Sequence, residues 1–148
     1  MIEVGTSAPD FTLPDHTGQE VKLADFEGKR LLLAFYPLDF SPVCTDQLAS
    51  YEEIQPQLDE AGVTLVGISV DSAFAHKAFR DSLGVETTLL ADFEPKGAVA
   101  DAYGAYLADA GHANRSLVLI GTDGRVEWVY ETDTPLDIPP PSAILEAI

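Results

Sequence analysis

Apolar and polar positions follow one another along the chain in blocks that predict both strands and helices. Residues 31–36 and 63–70 are nearly continuous apolar runs rich in Leu, Val and Ile. Such runs are typical of strands buried on both faces of a sheet. Shorter runs at residues 87–90 and 116–120 predict two more strands, and a turn containing Gly and Asp predicts a hairpin into residues 125–132.

Between these strands, apolar residues recur every three or four positions, which is the spacing of one buried helix face. The longest such stretch predicts a helix from Cys44 to Gly62. Pro56 lies inside it, and we expect a kink near Glu52 to Gln55 because proline lacks a backbone N–H and crowds the preceding turn. Ser72 is a good cap for a second predicted helix, which ends near Leu83.

Shorter elements complete the pattern. Residues 8–14 and 19–23 predict an N-terminal β-hairpin, residues 96–103 a short helix, and Ser142 the cap of a C-terminal helix of about two turns. The order of these elements implies parallel strand pairing through right-handed crossovers, plus one antiparallel hairpin. We therefore predict an α/β protein with a thioredoxin-like fold, in which helices flank a mixed central sheet and residues 1–148 form a single domain.

The charge of the chain restricts its partners. Asp and Glu number 25 against eight Lys and Arg, which gives a net charge of -17. No basic surface is available to bind nucleic acid or anionic lipid, so we predict neither partner. The chain lacks an apolar stretch of roughly 18 residues and a signal-peptide pattern, which predicts a cytoplasmic protein. Because such charge repels itself unless salt screens it, we hypothesise a salt-adapted, halophile-like acidic surface.

Cys44 is the only cysteine, and it stands where the strand at residues 31–36 gives way to a helix. The start of a helix presents unpaired N–H groups and a positive dipole end, which favour a thiolate. Taken alone, a free cysteine is more often an inert buried thiol, so its surroundings decide between the inert and the reactive interpretation. The three histidines are far apart and show no ligand spacing, so we predict no metal site and no cofactor.

The residues around Cys44 resemble those of a known family. The pattern Pro37-x-x-x-Ser41-x-x-Cys44 resembles the Pro-x-x-x-Thr/Ser-x-x-Cys signature of the peroxiredoxins, and the Phe-Tyr-Pro-Leu-Asp-Phe segment leading into it is similar to theirs. The likeness covers nearly the whole chain and includes Ala-Pro-Asp-Phe at 8–11, Ser-Val-Asp-Ser at 69–72 and Ala-Asn-Arg at 113–115. Residues 97–104 are similar to the one-cysteine, alkyl hydroperoxide reductase E-like branch.

The resemblance implies that Cys44 is the nucleophile of a thiol-dependent peroxidase. It implies that Pro37 shields the thiol, that Ser41 holds the peroxide in place of the commoner threonine, and that Arg115 is the active-site arginine. Gln47 stands where relatives often carry Glu, and we assign it a supporting role only. Attack of the thiolate on hydrogen peroxide or an organic hydroperoxide would leave a sulfenic acid.

With no second cysteine, an external thiol or a redoxin protein must reduce this sulfenic acid. The resemblance also implies a homodimer or a higher homo-oligomer. A function of another class stays open, because the same scaffold would also suit a redox sensor or chaperone whose oxidised Cys44 changes its partners or assembly. A thiol-disulfide oxidoreductase of the thioredoxin type is disfavoured by the missing Cys-x-x-Cys pair.

Overall fold

A five-stranded mixed sheet forms the centre of the protein. The computed structural model describes residues 1–148. In spatial order the strands are β5 (Thr88–Ala91), β4 (Val63–Ser69), β3 (Arg30–Phe35), β8 (Ser116–Ile120) and β9 (Val126–Glu131). Strand β4 is parallel to β3 and β5, whereas β8 is antiparallel to β3 and β9. The predicted mixed sheet is therefore confirmed.

The apolar runs of the sequence are the strands at the middle of this sheet. Residues 31–35 of β3 are at most 1% exposed because both faces of the sheet are covered. Successive side chains of a strand point to opposite faces, so Leu33 and Val118 join one core cluster while Leu32 and Leu119 join another. Continuous rather than alternating hydrophobicity follows from this two-sided burial.

Helices and two small antiparallel ribbons surround the sheet. The helices are α1 (Pro42–Glu52), α2 (Gln55–Glu60), α3 (Ala73–Leu83), α4 (Ala98–Ala102) and α5 (Pro141–Ala147). The ribbons pair β1 (Thr12–Pro14) with β2 (Glu20–Lys22), and β6 (Tyr106–Leu107) with β7 (His112–Ala113). A 3-10 turn covers Leu23–Phe26. None of the helices has the length and apolar character needed to cross a membrane.

The predicted helix from Cys44 to Gly62 is wrong at its start and in its continuity. It begins at Pro42, because Ser41 has the extended backbone of an N-cap (φ -66°, ψ 142°) and the first helical turn accommodates proline. Instead of a kink there is a break, since α1 ends at Glu52 and α2 begins at Gln55. Pro56 lies in the first turn of α2, where its missing N–H removes no intrahelical hydrogen bond.

Three smaller elements also differ from the prediction. The β6–β7 ribbon was not predicted, because strands of two residues are too short to show a period. The C-terminal helix begins at Pro141 with Pro140 as its N-cap, so Ser142 lies inside the helix and does not cap it. Helix α4 is shorter than the predicted 96–103 because Gly97, at φ 73°, is its N-cap.

One edge of the sheet collects the carboxyl ends of β3, β4 and β5 together with the start of β8 and the end of β9. The chain leaves β3 at this edge through residues 36–41 and enters β8 there from Arg115. In open α/β sheets ligands bind outside this edge. The fold therefore brings the loop before Cys44 and the distant Arg115 to the same end of the molecule.

Candidate active site

Cys44 occupies the first turn of α1 and is completely buried. It belongs to a core cluster with the side chains of Tyr36, Leu48, Phe79 and Leu89. The first intrahelical hydrogen bond runs from the Thr45 amide to the Ser41 carbonyl at 3.0 Å, and neither the Val43 nor the Cys44 amide finds an acceptor within the protein. Two backbone donors therefore remain available at the positive end of the helix, beside the sulfur.

The loop that precedes Cys44 combines stiffness with one unusual backbone conformation. Pro37 is buried at its start, and Phe40 has a φ of 66°, which non-glycine residues seldom adopt. The Phe40 ring is mostly exposed and its centroid lies 5.0 Å from that of Phe79. The Ser41 hydroxyl donates to the Leu38 carbonyl at 3.1 Å instead of capping α1. The hydroxyl is therefore held within the loop, and its lone pairs stay free to accept from a ligand.

Arg115 lies just before β8, and its side chain reaches α1. Only 2% of the residue is exposed. Its Nη1 donates to Oε1 of Gln47 at 2.7 Å, and its Nε donates to the Pro135 carbonyl. Gln47 is fully buried and lies one helical turn after Cys44. The structure thus places Pro37, Ser41 and Cys44 in one continuous segment and joins Arg115 to the helix of that segment through Gln47.

The sequence did not reveal a buried polar network next to this segment. The Asp39 carboxylate accepts from the Tyr36 hydroxyl at 2.6 Å and lies 2.7 Å from Nδ1 of His76. The other ring nitrogen of His76 lies 2.9 Å from the Leu90 carbonyl. Burial, together with the Asp39 carboxylate, raises the pKa of Tyr36 well above its ordinary value, so its hydroxyl stays protonated and donates.

This network fixes the loop because it joins Asp39 to α3 and β5. Asp39 and His76 are 37 positions apart in the sequence, and His76 and Leu90 are 14 apart, so no local sequence pattern predicts these contacts. Asp39, Asp71 and His76 each place one atom that could bind a metal ion within 4.8 Å of the others. The wide spacing of the histidines in the sequence did not predict this cluster. The Asp71 carboxylate already accepts from the Asp39 amide and the Ser69 hydroxyl, so hydrogen bonding accounts for the cluster.

Comparison with known proteins finds one family over most of the chain. The model of the AhpC/TSA family matches residues 4–129. Alkyl hydroperoxide reductase E of Mycobacterium tuberculosis is 36% identical over 129 residues, which cover 86% of this chain and 84% of the relative. Peroxiredoxin-2 of Mus musculus is 34% identical over 144 residues, covering 90% of this chain and 72% of the relative.

Solved structures show the same architecture. The peroxidoxin BcpB of Mycobacterium tuberculosis superimposes with a TM-score of 0.86 at 25% identity, over 99% of this chain and 96% of that one. The Enterococcus faecalis AhpC gives a TM-score of 0.87 at 26% identity, over 99% of this chain and 91% of that one. These similarities confirm the predicted thioredoxin-like fold class.

Proposed function

Because the chain belongs to the AhpC/TSA family of peroxiredoxins, we propose that this thiol-dependent peroxidase reduces hydroperoxides with Cys44 as its nucleophile. One observation carries the assignment of the residue. The only cysteine of the chain lies in the first turn of a helix whose amides at Val43 and Cys44 have no partner in the protein. This arrangement favours negative charge both on the sulfur and on an oxygen bound beside it.

The proposed reaction is a displacement at oxygen. The thiolate sulfur of Cys44 attacks one oxygen of the hydroperoxide and forms an S–O bond while the O–O bond breaks. The sulfur is oxidised to a sulfenic acid, and the departing oxygen leaves as an alkoxide or hydroxide that takes a proton to become an alcohol or water. Charge therefore moves from the sulfur to the departing oxygen during the step.

Ionisation of the thiol supplies only a small part of the acceleration. A free thiol with a pKa of about 8.5 is a few per cent ionised at pH 7, so complete ionisation gains roughly 30-fold, or about 2 kcal/mol. Enzymes lower the barrier by about 8 kcal/mol or more. We therefore assign most of the effect to groups that orient the peroxide and stabilise the departing oxygen, namely the two free amides, the Ser41 hydroxyl and the Arg115 guanidinium.

Regeneration needs a reductant from outside the chain. Cys44 has no cysteine partner and its side chain is fully buried. A thiol that attacks the sulfenic sulfur must therefore gain access by local opening of the start of α1. This supports an external thiol or redoxin as the co-substrate, with release of water when the mixed disulfide forms.

Exposed apolar residues near the site support self-association into a homodimer or a higher oligomer. Several large side chains that follow the ends of sheet strands at this edge are strongly exposed: Leu38, Phe40, Phe74, Phe93 and Leu136, with exposed fractions of 41%, 56%, 89%, 54% and 77%. Apolar residues concentrated on one side of a soluble protein mark contact surfaces.

A single-turnover experiment tests the proposed function. Reduced protein is mixed with equimolar hydrogen peroxide or an organic hydroperoxide, and the peptide that contains Cys44 is followed by quenched-flow mass spectrometry. We expect it to gain the mass of one oxygen atom far faster than free cysteine is oxidised, and Cys44→Ser to consume no peroxide. Oxidation no faster than that of free cysteine would overturn the proposal. A single oxidation followed by a change in oligomer size, with no turnover by added thiols, would favour the sensor.

A further inference from the structure

We propose that Tyr51 is a positioning residue for Arg115, acting through Gln47 and a segment near the C-terminus. We call residues 132–140, which follow β9, the C-terminal strap. The inference rests on the proposed role of Arg115 at the departing oxygen. It concerns how that guanidinium is held, and it assigns a function to Tyr51.

The hydrogen-bond partners form a chain with only one consistent direction. Arg115 can only donate, so the group facing its Nη1 at 2.7 Å must be the carbonyl oxygen of the Gln47 amide. The NH2 group of Gln47 then donates to the Tyr51 hydroxyl oxygen at 3.2 Å. The Tyr51 hydroxyl in turn donates to the Pro139 carbonyl at 2.7 Å. We call these three hydrogen bonds the relay, and each of them has a defined donor and acceptor.

The strap holds Arg115 from its other side as well. The Pro135 carbonyl accepts from the guanidinium Nε. The amide of Thr132 donates to the Arg115 carbonyl at 3.2 Å, while the Thr132 hydroxyl lies 3.1 Å from that carbonyl and 2.9 Å from the Thr134 carbonyl. The backbone of Arg115 is therefore tied to the start of the strap, its Nε to the middle and its Nη1, through the relay, to the end.

Burial makes the relay specific. Gln47 and Tyr51 are completely buried and Arg115 is 2% exposed, so bulk water does not replace a lost partner. Burial also raises the pKa of Tyr51, so its hydroxyl keeps the proton that it donates to Pro139. Loss of that hydroxyl would leave the Gln47 amide free to rotate. The guanidinium would then keep its hydrogen bond to the Pro135 carbonyl but lose a fixed partner at Nη1.

A neutral partner also leaves the charge of Arg115 available. A carboxylate at position 47 would form a buried ion pair with the guanidinium and compensate its charge. The Gln47 amide orients the same Nη1 without that compensation. Because Gln47 has a donor as well as an acceptor, it needs an acceptor on its far side, and the Tyr51 oxygen supplies one.

The test compares two tyrosines that make the same bond. In Tyr51→Phe we expect the rate of Cys44 oxidation by hydrogen peroxide to fall by about tenfold, since small displacements of a positioning group reduce rates strongly. Tyr103→Phe is the matched control, because the Tyr103 hydroxyl donates to the Pro9 carbonyl at 2.7 Å but has no link to Arg115. We expect that variant to oxidise at the wild-type rate.

A second readout separates positioning from general loosening. Alkylation of Cys44 by iodoacetamide needs the thiolate but no oriented peroxide, so its rate should stay within about twofold of wild type in Tyr51→Phe. In a Gln47→Met background, which removes the middle of the relay, Tyr51→Phe should cause no further loss.

Three results would overturn the inference: equal peroxide rates in Tyr51→Phe and Tyr103→Phe, an alkylation rate in Tyr51→Phe that differs from wild type by more than about twofold in either direction, or an undiminished effect of Tyr51→Phe in the Gln47→Met background. Failure of the proposed function gives a different result. In that case wild-type Cys44 itself would react with peroxide no faster than free cysteine.

Discussion

Arg115, just before β8, and Ser116, its first residue, are buried polar side chains with different hydrogen bonding. Arg115 is 2% exposed, and its side chain donates to Gln47 and to the Pro135 carbonyl. Ser116 is fully buried, yet its hydroxyl has no hydrogen-bond partner in the protein. A buried group without a partner loses its hydration and gains nothing in return. The first residue is thus built into the site, whereas the second is a cost to stability.

We therefore expect Ser116→Ala to leave the free energy of unfolding unchanged or to raise it by up to about 1 kcal/mol, because it removes an unpaired hydroxyl. Urea denaturation gives the value. Ser69→Ala is the matched control, since Ser69 is 1% exposed and its hydroxyl donates to Asp71. That variant should lose stability by about 1 kcal/mol. Equal destabilisation by both substitutions would contradict this account of Ser116.

Some residues of the site could be predicted from the sequence, whereas others could not. Pro37, Ser41 and Cys44 share one short segment, so a sequence pattern was enough to group them. The position of Arg115 before a predicted strand allows it to approach the same edge of the sheet, but its role follows from family resemblance, because 68 positions separate it from its contact on α1. The contact between Tyr51 and Pro139 spans 88 positions and carries no local signal. Partners that only folding brings together were beyond the reach of sequence patterns.

At the scale of elements, Asp92 shows how one carboxylate organises a short helix. It follows β5 and is 1% exposed. Its two oxygens accept from the amides of Val99 and Ala100 at 3.0 and 2.9 Å, the first turn of α4. Burial nevertheless outweighs these hydrogen bonds and raises the pKa of Asp92 above its ordinary value of 3.8.

Asp92→Asn should lower the free energy of unfolding at neutral pH by about 1 to 2 kcal/mol, because an amide offers one acceptor where two backbone donors need one each. The pH dependence has a definite sign. A raised folded-state pKa means that the stability contributed by protonation is fully present below pH 3.8 and is lost as the pH rises through the folded-state pKa. The free energy of unfolding of wild type should therefore exceed that of Asp92→Asn by more in acid than at neutral pH.

Denaturation curves across this pH range check the prediction. Asp101→Asn is the control, because Asp101 lies on the same helix but is exposed. The free energy of unfolding of Asp101→Asn should stay close to that of wild type at every pH. If the difference in free energy of unfolding between wild type and Asp92→Asn became smaller in acid, the predicted pH dependence would be contradicted.

The order of the elements in the central sheet was predictable because each of its five strands is long enough to show an apolar run, and the crossover rule then fixes the handedness of the connections. Element boundaries were not. The helix beginning at Pro42 depends on the extended backbone of Ser41, and the break before Gln55 depends on how Ile54 packs into the core. Such choices are made by tertiary packing, which periodicity does not contain.

At the scale of the whole molecule, the surface carries a net charge of -17 with few ion pairs to offset it. The pairs of Lys or Arg with carboxylates are Lys22 with Glu20, Arg30 with Glu127, and Lys77 with Asp81. Surface pairs of this kind contribute little to stability. Repulsion among the remaining carboxylates is therefore opposed mainly by dissolved salt.

We predict that the thermal unfolding midpoint rises when the KCl concentration increases from 0.1 to 1 M, as the screening length falls from about 10 Å to about 3 Å. Differential scanning calorimetry measures the midpoint. The steepest rise should come at the lowest salt, where the screening length changes most. An unchanged midpoint up to molar salt would show that the acidic surface does not limit stability.

The central claim is that Cys44 supplies the nucleophile while its neighbours supply most of the acceleration. The most direct test is the rate of Cys44 oxidation by hydrogen peroxide in Arg115→Ala, measured at a pH where the thiol of both proteins is ionised. The control is Arg125→Ala, because Arg125 is exposed and contacts the Gly5 carbonyl far from the site. We predict that Arg115→Ala slows the reaction by about 100-fold or more while Arg125→Ala reacts as wild type does. A rate for Arg115→Ala within about twofold of wild type would contradict the account.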